Sequence, residues 1–238
     1  MLNIKGVIFD YGGTIDTNGK HWVEVLWDAY AATGVPVSKQ QFRDAYAYGE
    51  RWLSLYPMIL PQDNFKSVLL KKISIQLTWL KNERFLPGDC NTLEYSLAIS
   101  CQCYAFILAV IEDARPVLEE LAAAYPLVLV SNFYGNMETV LENFDLRHYF
   151  KAIVESAIVG IRKPDPAIFA LGVEKLGMKP EEIVVIGDSY KKDIFPAGQI
   201  GCKTIWLKGA GWDGDSDDRQ AADIIIQDIK ELRMLIKQ

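Results

Sequence analysis

Val7-Ile8-Phe9-Asp10-Tyr11-Gly12-Gly13-Thr14-Ile15 decides the reading of this chain. An apolar run without polar alternation ends in an acid and then in two glycines. Such a run reads as a strand buried on both faces, as in a parallel sheet covered by helices. Similar runs recur at Leu127-Val128-Leu129-Val130, Ile183-Val184-Val185-Ile186 and Thr204-Ile205-Trp206-Leu207, with weaker candidates at Ile153-Val154 and Ile224-Ile225-Ile226. The segments between them read as helices. Asp113 with Pro116 in the first turn predicts one start; Asp165-Pro166 opens another that runs through Ile168, Phe169 and Leu176 and closes at Gly177. Pro196 fits a helix only in its first turn, where no N–H is needed, which puts that start near Asp193. Strand and helix thus alternate from about residue 113 onward, which predicts an α/β core with a doubly wound, Rossmann-like parallel sheet.

Between Thr17 and Glu112 the pattern changes. No β-branched run appears, and apolar residues recur at helical spacing: Trp22, Leu26 and Tyr30, then Phe65, Leu69, Ile73, Leu77 and Leu80. The reading is a core of residues 1–16 and 113–238 interrupted by a helical cap of residues 17–112. The aromatics of that insertion, Trp22, Trp27, Trp52, Tyr56 and Trp79, read as its own packing core. The stretch from Gly209 to Asp218 is a loop by composition and lacks the spacing of a calcium loop.

Composition narrows the function. The 238 residues are half apolar and 24% charged, the proportions of an ordinary globular protein. Net charge is −6, and no cluster of Lys and Arg marks a nucleic-acid or anionic-membrane surface, so neither partner is expected. The N-terminal apolar stretch up to Phe9 is too short for a signal or a span, which predicts a cytoplasmic protein. Cys90, Cys101, Cys103 and Cys202 show neither zinc-ligand spacing nor a disulfide framework and read as reduced, packed thiols.

Three apolar runs end in polar residues: Asp10 after the first, Ser131-Asn132 after the second, and Asp188-Ser189 after Ile183 to Gly187. In an open parallel sheet, ligands bind outside the carboxyl ends of the strands, where strand order reverses, so these residues should meet in one crevice. Taken together with Arg162-Lys163-Pro164-Asp165-Pro166 and Gly187-Asp188-Ser189-Tyr190-Lys191-Lys192-Asp193, the chain resembles the haloacid dehalogenase superfamily, whose four motifs fall in this order. The resemblance covers the whole chain and implies a hydrolase, most often a phosphatase of small phosphorylated metabolites. It implies that Asp10 is the nucleophile and forms an aspartyl-phosphate. It implies Mg2+ held by Asp10, the Gly12 carbonyl and Asp188, with Asp193 and Ser189 supporting that shell. It also implies Thr14, Ser131 and Lys163 around the phosphoryl oxygens, with Gly13 and Asn132 at the substrate.

One position departs from the family. Its phosphatases carry a second Asp two residues after the nucleophile as general acid and base, and here that residue is Gly12. Such a group is typically worth ~10²- to 10⁴-fold in rate, so substrates with good leaving groups, or a donor from the cap, are expected. Asp16, His21 and Glu24 are the nearby candidates. Haloacid dehalogenases also lack the second Asp, and Arg43 or Arg51 would bind the halide or carboxylate in that reading. Asp188 and Asp193 speak against it, because a metal-free displacement needs neither. A phosphonate C–P hydrolase would need a cap lysine, and Lys66, Lys71 and Lys72 are available. A binding or regulatory protein that has lost turnover is the alternative outside enzymes.

Overall fold

A computed structural model describes residues 3–209 and 222–235; most of the acidic stretch after Gly209 lies outside them. Six parallel strands form one sheet, β1 (Gly6–Phe9), β2 (Leu127–Ser131), β3 (Phe150–Glu155), β4 (Ile183–Gly187), β5 (Lys203–Leu207) and β6 (Ile224–Ile226), in the order β3-β2-β1-β4-β5-β6. Both weak candidates are therefore strands. The order reverses between β1 and β4, which is where a doubly wound sheet opens its crevice.

Both faces of the sheet are covered, which explains why the strands show no polar alternation. Val7 and Phe9 face one cluster together with Leu127, Leu129, Val184 and Ile186, while Ile8, Val128, Val130 and Val185 face the other. The second face is closed by α7 (Ala167–Leu176), which the Asp165 carboxylate starts by accepting from Ala167 N–H at 2.9 Å. It ends at Gly177, whose φ of 71° is the left-handed cap that glycine takes at least cost. Between these, a short helix α6 (Ser156–Val159) follows β3 and α5 (Met137–Asn143) follows β2. Beyond β4, a π-helical turn over Tyr190–Ile194 precedes α8 (Phe195–Gln199), with Pro196 in the first turn as the sequence requires. The chain described ends with α9 (Leu232–Leu235).

Between β1 and β2 the described chain is helical and contains no strand: α1 (Trp22–Ala32), α2 (Lys39–Leu55), α3 (Phe65–Asn82) and α4 (Thr92–Ala124). The helix expected to start at Asp113 does not start there. Asp113 and Pro116 lie inside α4, a single helix of 33 residues. Proline costs this helix one hydrogen bond, but Ala114, Val117 and Leu118 around it are buried in the main core, and that packing outweighs the local signal. By length and composition α4 could cross a membrane. Its apolar side chains Ile99, Cys103, Ile107 and Ile111 are instead buried in the main core, where α1 and α3 pack on it. Of the cysteines, Cys103 and Cys202 are buried, whereas Cys101 is exposed, against the expectation of a packed thiol.

Candidate active site

Asp10, Ser131 and Asp188 at the carboxyl ends of β1, β2 and β4, Lys163 from the segment between α6 and α7, and Asp193 from the π-helical turn meet at a cavity of about 630 Å3 that reaches from the sheet to α1, α2 and α3. Asp10 leaves β1 with its N–H donated to the Ile186 carbonyl at 2.9 Å, so the backbone itself fixes it beside β4. Its carboxylate is almost fully buried. Lys163 Nζ donates to Asp10 Oδ1 at 2.6 Å and to Asp193 Oδ1 at 2.6 Å, and Thr14 Oγ1 donates to Asp10 Oδ2 at 2.9 Å.

Three carboxylates converge here. Asp10, Asp188 and Asp193 each offer an oxygen, and these lie within 4.8 Å of one another. Burial, then the charges of Asp10 and Asp193, hold the Asp188 carboxyl well above its usual range. Asp193 is pushed up to about 6 by burial, against the opposing pull of Lys163. Burial disfavours the Lys163 ammonium too, yet the Asp10 and Asp193 carboxylates outweigh it and raise its pKa. A single lysine among three acids, two of them buried and Asp188 half-buried, leaves excess negative charge, and an all-oxygen donor set suits a hard cation such as Mg2+. The residues present fit that ion.

Asn132 grips Lys163 from both sides, accepting from its N–H at 2.9 Å and donating to its carbonyl at 3.1 Å. It thus positions the lysine rather than pointing only at a substrate. Thr14 is buried beneath the nucleophile. Ser189 lies at the cavity wall, donating its N–H to Asp193 Oδ2 at 3.1 Å. Gly12 and Gly13 both line the cavity. The N–H of Gly13 is already taken by Asp16 Oδ1 at 2.7 Å. Asp16 is wholly buried, also accepts from the Trp22 indole at 2.9 Å, and is pushed up to about 7 by its burial. It braces the loop and Trp22, and Trp22, not Asp16, reaches the cavity.

The two glycines differ sharply. Gly13 has φ +102°, and a Cβ there would lie 2.2 Å from Asp188 Oδ2; at Gly12 a Cβ would meet only Trp22 Nε1, at 4.0 Å. Gly13→Ala is therefore expected to cost about 1–3 kcal/mol of stability from the backbone alone and to displace Asp188. Thermal unfolding with and without Mg2+ checks this: the variant should melt lower, and any stabilisation that Mg2+ gives the parent should be lost.

On the helical side, His21 caps α1 with Nδ1 accepting from Val23 N–H at 3.2 Å, and lines the cavity. Burial, helped by Lys192, lowers its pKa. Glu24 pairs with Lys39 at 2.8 Å and is not a wall residue. Among the described residues the walls include neither Arg43 nor Arg51. Lys66 and Lys71 are absent from the walls as well, whereas Lys72 is present with Glu50, Tyr46 and Tyr134. Sequence reading missed this group. Its one available signal was the spacing of Tyr46 and Glu50, which puts both on one face of α2.

The family model of haloacid dehalogenase-like hydrolases matches residues 4–201. Phosphoglycolate phosphatase of Escherichia coli strain K12 is 30% identical over 251 aligned positions, covering 97% of this chain and 91% of that one. Glyceraldehyde 3-phosphate phosphatase of Pyrococcus furiosus is 30% identical over 95 residues, 40% of this chain; the match spans only 40% of that protein's length. Among solved structures, the putative hydrolase YfnB of Bacillus subtilis, bound to magnesium, aligns over 99% of this chain and 100% of its own with a TM-score of 0.60 and 18% identity. A dehalogenase with an intermediate complex aligns over 100% and 99% with a TM-score of 0.65 and 15% identity. These two likenesses speak for the fold. With the family model covering most of the chain and the four motifs meeting at one cavity, the protein belongs to the haloacid dehalogenase-like hydrolases.

Proposed function

We propose that this chain is a Mg2+-dependent phosphatase of small phosphate monoesters, working through an aspartyl-phosphate on Asp10. The observation that carries the reading is the trio of carboxylates Asp10, Asp188 and Asp193, two buried and Asp188 half-buried, around one lysine at the sheet's switch point. The two similar proteins from Pyrococcus furiosus and Escherichia coli are both phosphatases, which supports it.

In the first step an Asp10 carboxylate oxygen bonds to phosphorus as the bond from phosphorus to the leaving oxygen breaks. In the second, water attacks phosphorus, inorganic phosphate departs, and Asp10 is restored as a carboxylate. Thr14 and Lys163 hold Asp10 in place, and Lys163 offers positive charge to the phosphoryl oxygens together with Ser131. Asn132 fixes Lys163. Asp10, Asp188 and the Gly12 carbonyl would hold Mg2+, which when bound supplies charge to the phosphoryl group. Gly12 offers no proton to the leaving alcohol, so alkyl phosphates should turn over more slowly than aryl and acyl phosphates. Helices α1–α3 and the first part of α4 serve as the cap over residues 17–112, with the boundary to the core falling inside α4.

Two other readings lose ground. Neither Arg43 nor Arg51 reaches the cavity to hold a haloacid. A Schiff base needs an unprotonated amine, yet the Glu50 charge overcomes burial and holds Lys72 protonated, well above its ordinary range.

The test is a Mg2+ titration of p-nitrophenyl phosphate hydrolysis by the parent and by Asp188→Asn. Replacing a charged ligand by a neutral amide should raise the Mg2+ concentration for half-maximal rate at least ~10-fold. Unchanged Mg2+ dependence in the variant, or a full rate in chelator, would refute the proposed ion site.

A further inference from the structure

The walls that α2 and α3 contribute to the cavity carry a polar group that the chemistry above does not use. Lys72 on α3 sits 2.6 Å from Glu50 Oε1 on α2, with its side chain 13% exposed and that of Glu50 37% exposed. The ammonium lies 5.6 Å from the Tyr134 ring centroid and 6.0 Å from that of Tyr46. Tyr134 OH donates to Glu50 Oε2 at 3.3 Å. Tyr134 is held in turn from the sheet side. The carboxylate of Glu155 accepts from Gly135, from Asn136 N–H at 3.1 Å and from Met137 N–H at 3.2 Å, pinning the turn that follows Tyr134. The group is thus built from both sides of the cavity.

We propose that the Lys72–Glu50 pair, flanked by Tyr46 and Tyr134, reads the body of the substrate and selects a neutral, polyhydroxylated phosphate monoester, a sugar or polyol phosphate, over esters that carry a carboxylate. The inference rests on the phosphatase reading and names its substrate class. The charge of Lys72 is already balanced at 2.6 Å by Glu50, so an incoming carboxylate would meet a neutral pair and the more exposed, anionic half of it. Hydroxyl groups meet no such penalty. They can accept from Lys72 and donate to Glu50, while the aromatic faces take the C–H surface of a sugar or polyol. The cavity, about 630 Å3, has the volume of roughly twenty waters at ~30 Å3 each, room enough for such a body. Arg162 and Lys192 also touch the cavity but are exposed, where water and salt weaken their pull on an anion.

The experiment compares kcat/KM for glucose 6-phosphate and 2-phosphoglycolate in the parent, in Glu50→Gln and in the double variant Lys72→Met, Glu50→Gln. The parent should favour the sugar phosphate by ~10-fold or more. Glu50→Gln keeps the size of the side chain but frees the charge of Lys72, so the ratio should swing at least ~10-fold toward phosphoglycolate, mainly through KM. The double variant, which removes both charges, should lose that swing. A parent that favours phosphoglycolate, or a ratio unmoved by Glu50→Gln, overturns the assignment; a merely structural pair would change both substrates alike. Failure of the parent to hydrolyse either ester, acetyl phosphate or p-nitrophenyl phosphate would overturn the phosphatase reading itself, and the assignment with it.

Discussion

Gly12→Asp is expected to raise turnover of alkyl phosphates by up to ~10²- to 10⁴-fold, the usual worth of a positioned general acid and base. Alkoxide leaving groups need a proton, and position 12 is where the family's phosphatases supply it. Aryl and acyl phosphates leave as stabilised anions and should change little. The backbone permits the substitution: positive φ belongs to Gly13, and a Cβ at Gly12 would have only Trp22 Nε1 nearby, at 4.0 Å. The single N–H of that indole is already donated to Asp16, so a new carboxylate at 12 would compete with Asp16 for it. Gly12→Ala is the control, since it adds the Cβ without the acid. Equal rates for the Asp and Ala variants on alkyl phosphates would mean that the acid comes from another residue or is not needed.

Asp10→Asn should remove turnover, by a factor on the order of 10⁴ or more, because an amide nitrogen or oxygen cannot replace the carboxylate as nucleophile. The side chain is isosteric, and Lys163 keeps its 2.6 Å contact to Asp193, so the protein should remain folded by circular dichroism. Acid-quenched parent enzyme incubated with acetyl phosphate should carry a phosphoryl group on the peptide containing Asp10, and the variant none. A variant that retains a few per cent of the parental rate, or a label on another residue, would remove Asp10 from its role.

The core was readable because its strands are buried on both faces. Val7, Ile8 and Phe9 face alternate clusters and must all be apolar, so an unbroken run betrays the strand. Part of the site was legible for a related reason: Asp10, Ser131, Asn132 and Asp188 stand at or directly after strand ends, which sheet topology brings together whatever the helices do, whereas Lys163 and Asp193 lie several residues beyond β3 and β4. The limits of α4 were not readable. Asp113 and Pro116 carry a start signal, but burial of Ala114, Val117 and Leu118 carries the helix through it. What Asn132 and Thr14 bond to depends on side-chain direction, which spacing does not encode. Lys72 was seen as one of three lysines with nothing to distinguish them. Its partner Glu50 lies on another helix and Tyr134 in the turn after β2, and only the packing of α2 and α3 over the sheet unites them.

Initial rates of phosphate release from p-nitrophenyl phosphate and of chloride release from 2-chloropropionate, each with Mg2+ and with chelator, test the central claim most directly. Carboxylates crowded at Asp10, Asp188 and Asp193 predict phosphate release that depends on Mg2+ and no chloride release in either condition. Chloride release that persists in chelator, without phosphate release in Mg2+, would contradict the account.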